Sequence, residues 1–265
     1  MTSLLTLPMN DIILHFTLFM AGFIANVLAS LSGGGAGFVQ LPVLIFMGLN
    51  FPVALGTHKV AVVALGAGAL ARNHRIHDIN WQIGSLMLLV GCPAVVAGSL
   101  IVVNVSDFWA ELILGLITCA SVIYSIFKKN FGENNVDHHF TPKEMFFGSI
   151  LIALVGLLSG SFSSGAGLFA IMVLVLYFKL SIKTAIFHSM IFVAFIWNFI
   201  GAFTVGAVAA IEWAWVPALL SGAFIGGYTG TLMIKRFKNR AIKKLFQTVM
   251  FISGVLLLIK AAMIY

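Results

Sequence analysis

Two stretches of this chain combine residue types suited to holding an anion. The first is Ser30-Leu31-Ser32-Gly33-Gly34-Gly35-Ala36-Gly37, and the second is Ser159-Gly160-Ser161-Phe162-Ser163-Ser164-Gly165-Ala166-Gly167. Glycine lets a main chain approach a ligand closely, and serine adds hydroxyl donors. A helix that begins after such a break presents free N–H groups and a partial positive charge. Polar residues follow each break inside apolar sequence: Thr57, His58 and Lys59 after the first, His188 and Ser189 after the second, with Gln40, Asn198 and the weaker Asn26 nearby. An intramembrane lysine is expensive, so Lys59 is a site candidate by default, with snorkelling to the interface as the bland reading. His58 and His188 could donate to an oxyanion or carry a proton, or simply bond to a neighbouring helix. The bland reading of the glycines is close helix packing. No metal-ligand spacing is present. Cys92 and Cys119 read as small hydrophobes, and His138-His139 lack partners.

The elements that must position these residues are membrane helices. Of 265 residues, 61% are apolar and only 9% are charged, against about 25% in an average soluble domain. Disorder is excluded by that balance, and the net charge of +7 rests on too few basic residues for nucleic-acid binding. Long continuous apolar runs argue against a membrane barrel. Ten apolar segments are expected, at 11–31, 38–49, 53–71, 82–103, 108–127, 145–160, 166–178, 184–208, 213–234 and 241–263. Most reach the ~20 residues that cross a bilayer, whereas 38–49 and 166–178 are short and each follows a glycine stretch. The fold class expected is thus all-α, a polytopic membrane protein with short broken helices, and no cleavable leader is evident.

The two halves look like copies. Gly35-Ala36-Gly37 matches Gly165-Ala166-Gly167, Ile79-Asn80-Trp81 matches Ile211-Glu212-Trp213, and Gly98-Ser99 matches Gly230-Thr231, in the same order along both halves. This divides the chain into a first repeat at 1–130, a cytoplasmic linker at 131–144 and a second repeat at 145–265. Five segments per repeat would invert the second copy in the membrane. With ten crossings, Arg72, Arg75, Lys128, Lys129, Lys143, Lys179, Lys183 and the 235–244 basic cluster share one side, while Asp11, Asp107, Glu111 and Glu212 share the other with Lys260. The positive-inside rule then places both termini in the periplasm. Trp81, Trp109, Trp213 and Trp215 read as interface anchors, and Ala94-xxx-Gly98 and Gly226-xxx-Gly230 as packing stripes. The basic cluster reads as a contact for anionic lipid.

With these motifs in place, the chain resembles the sulfite exporter TauE/SafE family, also called the four-toluene-sulfonate uptake permease family. The resemblance rests on Ser32 to Phe38 with Pro42, on Ala54-x-Gly56-Thr57, and on the second glycine stretch with His188-Ser189. It runs from about residue 12 to 262. It implies transport of sulfur oxyanions or organosulfonates across the bacterial inner membrane. By position it implicates Gly33, Gly34, Gly35, Gly37 and Thr57, then Ser161, Gly165, Gly167 and Ser189. The chain departs from the family where His58 and Lys59 follow Gly-Thr, and where Ser161-Phe162-Ser163-Ser164 replaces a more glycine-rich run.

The function expected is a secondary transporter, an exporter of sulfite or an organosulfonate, working by alternating access. The membrane potential is worth ~2.3 kcal/mol per charge per 100 mV, which helps a monoanion leave the cell. No enzyme activity and no cofactor are expected. The partners expected are the small anion and membrane lipid, without nucleic acid, and with homo-oligomer formation and coupling to H⁺ left open. Two alternatives stand beside this reading. One is a transporter or channel for another substrate such as a metal cation, which the shortage of embedded carboxylates opposes. The other is an intramembrane serine hydrolase with Ser163 or Ser164 as nucleophile and His188 as base, which fails to explain why the glycine break occurs twice.

Overall fold

A computed structural model describes residues 9–72, 79–101, 140–234 and 236–264, with isolated positions between 108 and 127. Every described element is helical. In chain order these are α1 (Met9–Ser32), α2 (Ala36–Phe46), α3 (Phe51–Arg72), α4 (Trp81–Leu86), α5 (Cys92–Ile101), α6 (Pro142–Ser161), α7 (Ala166–Leu176), α8 (Ile182–His188), α9 (Asn198–Val208), α10 (Val216–Ile234) and α11 (Asn239–Ile264). A π-helical stretch, Met87–Gly91, joins α4 to α5, and a longer one, Ser189–Trp197, joins α8 to α9.

Among the described residues, seven helices are long and apolar enough to cross a membrane: α1, α3, the α4–α5 span, α6, the α8–α9 span, α10 and α11. Helices α2 and α7 are apolar but short, as their sequences predict. The expected segment 108–127 and most of the 131–144 linker fall largely outside the described residues, as do Arg75, Asp107, Trp109, Glu111, His138 and His139. The other nine segments coincide with helices, with small shifts at the ends. Segment 38–49 stops at Phe46 because Gly48 turns left-handed (φ 107°). Segment 166–178 stops at Leu176, and Lys179 turns left-handed shortly after (φ 57°). Trp213 and Trp215 stand in the turn before α10.

Local chemistry fixes where helices begin. Thr141 and Glu144 form a reciprocal capping box at the start of α6, with Pro142 as its first residue. Ser181 caps α8 through the Thr184 N–H, and the Asn80 carboxamide caps α4 through the N–H groups of Gln82 and Ile83.

Small residues then let the long helices touch. Helix α1 lies on α10, where a methyl group added at Gly222 would stand 2.3 Å from the Phe19 carbonyl oxygen and one at Gly230 would stand 2.5 Å from Ser30 Cβ. Helix α6 lies on α5 in the same manner: a methyl at Gly98 would fall 2.1 Å from the Leu157 carbonyl, and one at Gly160 2.2 Å from the Val95 carbonyl. Both stripes read from sequence are packing surfaces. Gly98→Ala is expected to lower stability by about 1–3 kcal/mol through overpacking against main chain, measured by thermal unfolding in detergent.

The two π stretches meet. The Trp197 indole N–H donates to the Met87 carbonyl oxygen at 2.9 Å, and Gly91 leaves the room its ring needs, since a methyl there would lie 2.1 Å from Trp197 Cζ2. Such stretches recur at functional sites. Helix α7 and the 189–197 stretch form the centre of the molecule: Leu168, Ala170, Ile171, Leu174 and Trp197 are fully buried. A helix apolar on every side is a buried helix. Helix α2 is more peripheral, and its last residue, Phe46, is largely exposed.

Candidate functional site

The two glycine breaks meet inside this frame. Helix α1 ends at Ser32, Gly33 turns left-handed (φ 82°), and the Gly34 N–H closes back on the Ala29 carbonyl. Gly35, also left-handed (φ 95°), then caps α2. In the second break α6 ends at Ser161, Ser163 adopts φ 57°, and left-handed Gly165 caps α7 (φ 78°). Ser163 holds a conformation that side chains rarely adopt. Its hydroxyl donates to Asn198 Oδ1 at 3.2 Å, and Asn198 Nδ2 donates to the Val193 carbonyl within the π stretch.

Contact between the breaks is main chain on main chain. A methyl at Gly34 would lie 2.7 Å from Gly167 Cα, and one at Gly167 would lie 2.8 Å from the Gly33 carbonyl oxygen. Likewise a methyl at Gly37 would lie 2.6 Å from Ser164 Oγ. By the sequence match, Gly34 corresponds to Ser164 and Gly37 to Gly167. The contacts are therefore reciprocal, the pattern that a two-fold relation generates.

The same reciprocity appears one helix further on. Thr57 Oγ1 donates to the Val53 carbonyl at 2.7 Å and accepts the Glu212 N–H at 3.0 Å. His188 Nε2 accepts the Asn80 N–H at 3.0 Å, so its Nδ1 carries the proton and donates to the Thr184 carbonyl at 2.8 Å. Asn80 and Glu212 are the residues that the sequence match pairs. Each half thus satisfies the main chain of the other at the same place.

Between the breaks lies a small cavity of about 30 Å³, room for about one water. Its polar lining comes from Gly33, Gly34, Gly35, Gly37, His58, Ser163, Gly167, Ser189 and Asn198, all expected site residues. Ser189 Oγ donates to the Gly33 carbonyl at 2.8 Å, fastening the π stretch to the first break. His58 is 1% exposed, and its Nδ1 has no hydrogen-bond partner among the described residues.

Other expected residues stand behind this lining. Ser32 bonds the carbonyls of Leu28 and Gly34, and Ser161 those of Gly98 and Leu157, so both hold the helix ends. Ser164 abuts Gly37, and Gly165 leaves room for the Phe38 ring. Thr57 and His188 are occupied by main chain, which leaves neither ring nitrogen of His188 for a serine. Gln40 is fully buried away from the cavity, its Oε1 accepting from Asn26 Nδ2 at 3.2 Å. Lys59 does not snorkel: it is fully buried, and its ammonium donates to the Ser159 carbonyl at 2.6 Å.

Sequence reasoning missed the apolar part of the lining, Val62 and Leu65 from α3 and Met190, Val193 and Ala194 from the π stretch. Spacing offered a partial signal, since Val62 and Leu65 lie one and two turns beyond His58.

The chain is similar to several known proteins. The chain is 29% identical to the probable membrane transporter protein ORF9 of a Sinorhizobium species, over 95% of this chain and 94% of that protein. It is 23% identical to the probable membrane transporter protein YunE of Bacillus subtilis, over 89% and 94% respectively. A probable membrane transporter protein of Methanocaldococcus jannaschii is 24% identical over 91% and 94%. No solved structure matches the chain. A family model described as "Sulfite exporter TauE/SafE" matches residues 18–257, nearly the whole helical array including both glycine breaks, and the chain accordingly belongs to this family of membrane transporters.

Proposed function

We propose that the protein is a secondary transporter that exports a small sulfur-containing anion, sulfite or an organosulfonate, across the bacterial inner membrane by alternating access. The observation that carries this reading is the meeting of two broken helices at one polar cavity. The first turns of α2 and α7 lack the intrahelical partners that later turns have, so their N–H groups and partial positive charge are available to an anion. His58, Ser163, Ser189 and Asn198 add polar side chains around the same space, and the Ser163 and Ser189 hydroxyls, which here donate to Asn198 Oδ1 and the Gly33 carbonyl, would turn to an anion when the breaks part. Paired discontinuous helices near the middle of a repeat-built bundle are the recurrent plan of a transporter site.

Two inverted five-segment repeats with both termini in the periplasm fit this reading, and the reciprocal contacts support it. A cavity for one water is too small for sulfite, so this arrangement is a closed one, and the breaks must part to admit substrate. Rocking one half against the other would separate them and shear the Thr57 and His188 bonds. Among the described residues, carboxylates occur only at Asp11, Glu144 and Glu212, close to helix ends. That placement favours an anion over a metal cation as cargo.

The test is a thermal-shift screen of the purified protein against sulfite, thiosulfate, sulfate, taurine, sulfoacetate and sulfolactate, with nickel and cobalt as cation controls. A sulfur anion present at about a hundred times its Kd is expected to stabilise the protein by about 2.7 kcal/mol. Stabilisation by the metals and by none of the anions would overturn the reading.

A further inference from the structure

Lys59 stands out because its charge is buried with no carboxylate beside it among the described residues. Its Nζ donates to the main-chain carbonyl of Ser159, one of the last carbonyls of α6, where free oxygens and the helix dipole suit a cation. Gly201 packs against it, since a methyl there would stand 3.0 Å from Nζ and 3.1 Å from Cδ. Ser159 lies two residues before the end of α6, ahead of the break that carries Ser163, and Gly201 is three residues after Asn198 on α9; Ser163 and Asn198 line the cavity. His58, adjacent to Lys59, lines it too. Two polar atoms on neighbouring residues, Ser159 Oγ and His58 Nδ1, have no hydrogen-bond partner among the described residues, and each residue is 1% exposed.

We propose that Lys59 is the countercharge of the transported anion, parked on the Ser159 carbonyl while the site is empty and transferred to the anion when the breaks part. The inference rests on the anion-transport reading and deepens it, because it makes net charge a selection criterion. A main-chain carbonyl is a neutral acceptor, so an anion outcompetes it for the ammonium. No covalent step is involved, since the ammonium exchanges one acceptor for another. The empty carrier then holds one uncompensated positive charge, and the carrier loaded with a monoanion holds none.

Isethionate and taurine test this directly. Both are two-carbon sulfonates of similar size, but isethionate carries a net charge of −1 and taurine none. Their Kd values, and that of sulfite, would be measured by isothermal titration calorimetry on the full-length protein in lipid nanodiscs. The wild type is expected to prefer isethionate by about tenfold, the discrimination that ~1.4 kcal/mol provides. Lys59→Met should remove most of that preference, and Lys59→Arg should keep it. Gly201→Ala, which crowds the ammonium on its perch, should tighten isethionate binding several-fold. A role confined to packing would move both ligands equally and would not let Lys59→Arg rescue the ratio. If Lys59→Met keeps the affinity for sulfite and isethionate along with the ratio, the countercharge role falls and the transport reading stands. Failure of the wild type to bind any of the three removes the reading, and this inference with it.

Discussion

Gly34→Ala and Gly167→Ala are each expected to reduce anion flux in proteoliposomes to below a tenth of the wild-type rate. The three atoms nearest an added methyl at position 34 are all main chain, 2.7 Å away at Gly167 Cα and 2.8 Å at both Gly167 C and Leu168 N. No rotamer can move aside, so the two breaks must separate. The reciprocal methyl at position 167 meets the Gly33 carbonyl at 2.8 Å and Gly34 Cα at 2.9 Å. Each substitution should lower stability by about 1–3 kcal/mol, the usual range for overpacking. Because both act by opening the same junction, the double variant should lose less than the sum of the two. Thermal unfolding with parallel flux measurements decides it. Near-normal flux in either single variant would mean that the close approach of the breaks is dispensable.

The second large effect separates the two histidines. His58→Leu should lower flux at least tenfold while changing stability by less than about 1 kcal/mol, because it removes a buried ring whose Nδ1 makes no hydrogen bond among the described residues. His188→Leu should do the reverse. It deprives the Asn80 N–H of its acceptor, and an unsatisfied buried group costs about 1–3 kcal/mol. Unfolding midpoints and flux for the pair would check the contrast. Equal stability losses in both would show that the empty valence of His58 is not reserved for a ligand.

Much of this was legible beforehand. Uninterrupted apolar runs marked the seven long helices, because a bilayer demands length and apolarity together. The glycine breaks were legible for a related reason: left-handed Gly33, Gly35 and Gly165 sit where a side chain would be strained. The partition between lining and scaffold was not legible. Thr57, His58 and Lys59 are consecutive and polar, yet one bonds a main-chain N–H, one lines the cavity and one reaches a helix end. Successive residues on a helix point about 100° apart, so their fates depend on neighbours distant in sequence. Gln40 is a similar case, turned towards Asn26 on α1. The π stretches left no trace in composition, because Ser189–Trp197 is as apolar as any helix around it. Asn198 and Trp197 bond carbonyls of the two stretches, Val193 and Met87, and neither bond could be read from the order of residues.

The bonds from Thr57 to the Glu212 N–H and from His188 to the Asn80 N–H tie the two halves of the chain together. Neither half can complete its own junction, since each lends the side chain that the other lacks. On the repeat reading proposed above, a half-length ancestor would have needed a second copy beside it, and fusion of the two genes would have made that partnership permanent.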